Sequence, residues 1–129
     1  MSDLLNDNSV FVNGKTGTAE EIEELFSPPG FFTARLDGAE IKNERELLAA
    51  LAAALRFPAY FGHNWDALLD CLRSLPDFIS AGGYAVVVER SALLLKDSPA
   101  DLQDFKEIAG AAAEFLWEKH KLRLKIVML

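Results

Sequence analysis

Apolar residues recur along the chain at two spacings, and the change from one to the other marks the elements. In FFTARLD (residues 31–37) apolar and polar positions alternate, which predicts a half-buried β-strand closed by a turn at Asp37-Gly38. Leu47, Leu48, Leu51 and Leu55 then recur at helical spacing. Asn43 with Glu46 supplies the start signal of that helix, and Phe57-Pro58 its stop. A further helix is expected from just after Asn64 to about Leu75-Pro76, with Leu68, Cys71, Leu72 and Leu75 on one apolar stripe. YAVVVE (84–89) is a continuous β-branched run, the pattern of a strand buried on both faces of a parallel sheet. SALLLK (91–96) predicts a short helix. Ser98 as cap and Pro99 at the first helical position open a long helix that runs through Ile108, Phe115 and Leu116 to about Lys119. LRLKIVML closes the chain as a strand. Strands alternating with helices in this order predict an α/β fold with a small parallel sheet.

Ahead of this pattern, FVNG (11–14) suggests a short strand running into a turn. Thr18 and Glu21 stand at capping-box spacing, and residues 19–26 follow as a short helix ended by Pro28-Pro29-Gly30. That cluster is the best linker candidate, so residues 1–30 are expected to be an N-terminal extension and residues 31–129 the core domain. The extension is expected to add an edge strand or to cover part of the sheet. Gly82-Gly83 precedes a strand rather than joining a strand to a helix, so it predicts a turn and not a phosphate-binding loop.

Composition narrows the function. The 129 residues carry a net charge of −7. That charge argues against the phosphate backbone of nucleic acids and against anionic lipid, and favours a basic protein partner. The single cysteine, Cys71, excludes an intramolecular disulfide and a Cys-rich zinc site. MSDLLNDNS is polar and acidic, unlike a signal sequence, and the longest apolar run, LLAALAAAL (47–55), is too short to span a bilayer. A cytoplasmic location is therefore expected.

On the helix after Asn64, Asp66, Asp70 and Arg73 fall opposite the apolar stripe, with Leu69 beside them. Like charges one turn apart repel by roughly 0.2–0.5 kcal/mol, so their placement invites explanation. One reading is that they simply solvate the helix, with Asp70 paired to Arg73. His63, Asp66 and Asp70 could instead be ligands in a small metal-dependent hydrolase, although the sequence supplies no further ligand to close the shell. A general acid and base pair would need a cleft and divergent acidities, which an exposed helix face lacks. Cys71 falls on the buried stripe and there is no G-x-S-x-G nucleophile motif, so no catalytic residue and no cofactor are assigned. An acidic, partly apolar face approached by Tyr60, Phe61 and Gly62 fits a protein-binding surface better. Trp65 and Trp117 are expected to pack.

PAYFGHNWDALLDCL (58–72) resembles the signature P-x-Y-Y-G-x-N-x-D-A-L-x-D-C-L of the barstar family, intracellular inhibitors of the secreted ribonuclease barnase. The similarity runs without a gap from Phe32 through Leu72 and more loosely through YAVVVER to the last helix and strand. It implies an α/β fold with a three-stranded parallel sheet, no chemistry of its own, and an acidic helix and loop that plug a ribonuclease active site. By the same resemblance Asp70 mimics a substrate phosphate and Asp66 meets an arginine of the enzyme. Tyr60 would pack on the catalytic histidine, while Gly62 and Asn64 shape the loop. Phe61, Leu69 and Arg73 complete the partner-binding set, with Glu118, or Glu114, on the last helix. Leu69 stands where the family often has tryptophan, and Phe61 where it has a second tyrosine. The alternative within the same class is an antitoxin-like or immunity module for a basic protein that is not a ribonuclease.

Overall fold

The computed structural model describes residues 9–14 and 17–129. The N-terminal stretch weighed above as a signal sequence lies, up to residue 8, outside the described residues. In chain order the elements are β1 (Phe11–Asn13), α1 (Ala19–Phe26), β2 (Phe31–Asp37), α2 (Glu44–Ala54), α3 (Trp65–Arg73), α4 (Leu75–Phe78), β3 (Gly83–Glu89), α5 (Pro99–His120) and β4 (Arg123–Met128). Short 3-10 turns follow β2 and β3, at Gly38–Glu40 and Ser91–Leu93. The strands form one sheet in the order β1-β4-β3-β2, and every neighbouring pair is parallel.

The continuous apolar run of β3 explains the layering. Tyr84, Val86 and Val88 point to one face, with Ala34 and Leu36 of β2 and Leu124 and Ile126 of β4. There they meet Leu47, Leu48 and Leu51 of α2, Leu68 and Leu72 of α3, and Phe105, Ala109, Ala112 and Leu116 of α5. Ala85 and Val87 point the other way, and with Val127 they join Val12 of β1 and Ala19, Ile22 and Phe26 of α1 in a second cluster. The alternation of a strand thus feeds two cores, a large one under three helices and a small one under α1.

Among the described residues the sheet has four strands where the family resemblance implied three, and β1, from the N-terminal segment, is the additional one. Because β1 and β2 lie on opposite edges, the chain must cross the whole second face to connect them. α1 makes that crossing. Its start is a full capping box: Thr18 Oγ1 accepts from Glu21 N, and Glu21 Oε1 accepts from Thr18 N. Arg35 of β2 holds the helix from the sheet side, with hydrogen bonds of 2.8 Å to both Glu23 carboxylate oxygens and a 3.2 Å ion pair to Glu20. Lys125 of β4 is buried, and its Nζ donates to Ser9 O at 2.8 Å.

Three details differ from the sequence pattern. α3 ends at Arg73, and α4 begins separately, because Pro76 has no N–H with which to continue the helical ladder. Ser98 precedes α5 but does not cap it. Its hydroxyl donates instead to Lys42 O at 3.2 Å. SALLLK forms only a single 3-10 turn over Ser91–Leu93.

Two predictions follow from the second core. Phe26 is fully buried there, so Phe26→Ala should lower stability in urea unfolding by about 3–5 kcal/mol. A loss under about 1 kcal/mol would mean that α1 contributes little to holding the fold. Hydrogen bonds from Arg35 hold the Glu23 carboxyl below its ordinary 4.5. Glu20 is lowered first by a backbone hydrogen bond and then by the Arg35 charge. A carboxyl lowered in the folded state contributes stability above its unfolded value and loses it as pH falls through the folded one. Stability should therefore decline below about pH 4.5, and Arg35→Gln should flatten that decline. Acid unfolding curves of the two proteins that superimpose would contradict this.

Candidate functional site

The loop between α2 and α3 is organised around one buried ring. Phe61 is 6% exposed and packs edge-on against Phe57, with centroids 5.0 Å apart. Its N–H donates to Pro58 O at 3.0 Å, so the loop closes on itself as the ring turns inward. Tyr60, next to it, is turned outward and is 80% exposed. Asn64 then starts α3: its side chain accepts from Ala67 N at 2.8 Å, and its carbonyl accepts from Leu68 N at 2.9 Å.

Two residues of this loop are left-handed, Arg56 with φ of 59° where α2 ends and His63 with φ of 51° just before α3, and Gly62 is not one of them. A Cβ on Gly62 would stand 3.4 Å from Asn64 Nδ2 and 3.5 Å from Ala67 Cβ, in ordinary contact. The left-handed turn before α3 thus falls one residue after the glycine. The His63 ring lies 4.7 Å from the Phe61 ring, and its Nδ1 is 3.0 Å from Phe61 O. Sequence reasoning weighed His63 only as a metal ligand. The available signal was its place between two loop-forming residues, because histidine is among the side chains enriched at positive φ.

α3 carries Asp66 in its first turn, where a helix N-terminus favours negative charge, and Asp70 one turn further on. Both are exposed. Among the described residues, neither side chain forms an ion pair or a hydrogen bond, in contrast to the paired Glu20, Glu23 and Asp37. Arg73 does not neutralise Asp70. Its guanidinium lies over the Phe115 ring of α5, 5.3 Å from the centroid. Burial, and secondarily the Asp70 charge, pushes the Cys71 thiol up, so this sulfur is a core group and a poor nucleophile.

α3 packs on α5 as well as on the sheet, which widens its buried arc beyond one stripe. Leu69, expected beside the carboxylates, is half-buried and packs against the main core. On the α5 side a hollow of about 270 Å³ is lined by Arg73, Ala111, Glu114, Phe115 and Glu118. Tyr60, Gly62, Asn64, Asp66 and Asp70 are thus all exposed, while Arg73, Glu114 and Glu118 share the lining of the hollow beside α5. Phe61 is instead buried. Trp65 packs against the main core, whereas Trp117 is 39% exposed, with the Arg123 guanidinium 3.8 Å from its ring centroid. Among the described residues, no group of three His, Cys, Asp or Glu could hold a metal ion, and no helix is long and apolar enough to cross a membrane.

Fold and surface together define a small parallel α/β protein with an acidic helix face and a tyrosine-bearing loop. Residues 31–128 match the family model described as Barstar (barnase inhibitor), and the chain belongs to that family. No curated protein sequence matches the chain. The N-terminal strand and α1 lie outside the matched residues.

Removal of the Asn64 cap by Asn64→Ala should cost about 1 kcal/mol of stability, whereas Tyr60→Ala should change it by less than about 0.5 kcal/mol. Urea unfolding of the two variants checks both. A Tyr60 variant as unstable as the Asn64 variant would show that the tyrosine holds the loop rather than merely extending from it.

Proposed function

We propose that this protein binds and inhibits a ribonuclease of the barnase type by setting the loop at 60–64 and the exposed face of α3 into the enzyme's cationic active site. The observation that carries this reading is the pair of unpartnered carboxylates, Asp66 and Asp70, on one helix face of a chain that belongs to the Barstar family. Two carboxylates that repel each other in the free protein become favourable when arginines approach, because charge-assisted hydrogen bonds to guanidinium are about twice as strong as neutral ones. Asp70 is the central, phosphate-like contact and Asp66 the second charge. Tyr60 is the exposed aromatic anchor, and Leu69 contributes whatever apolar edge α5 leaves uncovered. Gly62 and Asn64 shape the approach, Phe61 supports it from below, and Arg73 with Glu118 or Glu114 forms the rim.

A titration of the chain against purified barnase, with Asp70→Ala alongside at low and high salt, tests this. The expected result is tight binding that weakens with salt and loses more than about 2 kcal/mol, roughly thirtyfold in Kd, in the variant. Absence of binding, or an Asp70→Ala protein that binds as well as wild type, would move the partner to a different basic protein or the contact to a different surface.

A further inference from the structure

We infer that His63 belongs to the docking surface as a hydrogen-bond acceptor for a cationic partner; this rests on the binding reading above. His63 is exposed on the loop between Tyr60 and Asn64, and its left-handed backbone fixes the direction in which the side chain leaves it. Nδ1 lies 3.0 Å from Phe61 O. A carbonyl oxygen can only accept, so the nitrogen that faces it carries the proton. The lone pair of the neutral ring is then on Nε2, at the opposite edge of the imidazole. Packing on the Phe61 ring at 4.7 Å holds that orientation. Among the described residues, nothing is hydrogen-bonded to Nε2.

The loop therefore presents the same chemistry as the helix behind it. Nε2 of His63 and the carboxylates of Asp66 and Asp70 are all acceptors, and each suits the N–H donors of arginine or lysine. The charged residues flanking the loop are Arg56, where α2 gives way to the loop, and Asp66, where α3 opens; among the described residues neither is hydrogen-bonded to the ring.

Two measurements test this. Nitrogen-15 spectra of the imidazoles in the free chain should show the Nδ1–H tautomer for His63; an Nε2–H tautomer would overturn the inference. Second, Kd for barnase is measured with wild type and with His63→Asn, which tolerates the left-handed backbone. The variant should bind about tenfold more weakly, the loss of one hydrogen bond to a charged group. Equal Kd values overturn this inference and leave the binding reading standing. No wild-type binding removes both.

Discussion

β3 carries apolar side chains on both faces, and such a strand is stable only between two covering layers. Tyr84, Val86 and Val88 are covered by α2, α3 and α5, while Ala85 and Val87 are covered by α1. The N-terminal segment is the material for the second layer, since it supplies both an edge strand and the helix that crosses behind the sheet. The capping box at Thr18 and the Arg35 contacts to Glu20 and Glu23 fix where that helix lies. With both faces occupied, the sheet is a rigid support for whatever the helices present outward.

What they present follows from how α3 is held. Its apolar side chains are committed to the sheet and to α5, its N-terminus is capped by Asn64, and the preceding loop is pinned by the buried Phe61 ring. These contacts determine the direction of the remaining face without using its carboxylates. Arg73, the one basic residue of the helix, is drawn away to Phe115. Among the described residues Asp66 and Asp70 are therefore left unpaired, at the modest cost of their mutual repulsion. A surface fixed in direction and unneutralised in charge is preorganised for a cationic partner, because little ordering entropy remains to be lost on binding.

Much of this was legible in the residues. The strand at 31–37, the β-branched run of β3, both side-chain caps at Thr18 and Asn43, and the long last helix have local causes, and local patterns reveal them. The exposed acidic pair was legible because helical phase alone separates it from the Leu68 and Leu72 stripe. What the pattern could not supply was contact between distant segments. The half-burial of Leu69 depends on the main core around it, the bond from Ser98 to Lys42 on a neighbouring loop, and the role of α1 on which face of the sheet lay open. The turn at His63 was missed because glycine is the usual occupant of left-handed backbone, and here the adjacent glycine does not adopt it.

The face formed by the loop at 60–64 and α3 is proposed as the place where the partner docks. Backbone amide shifts of the nitrogen-15-labelled chain, followed as barnase is added, test this. The perturbed amides should cluster in residues 60–73 and around Glu114 and Glu118, while those of α1 on the opposite side of the sheet are unchanged. Perturbations centred on α1 and β1, with the α3 amides unmoved, would contradict it.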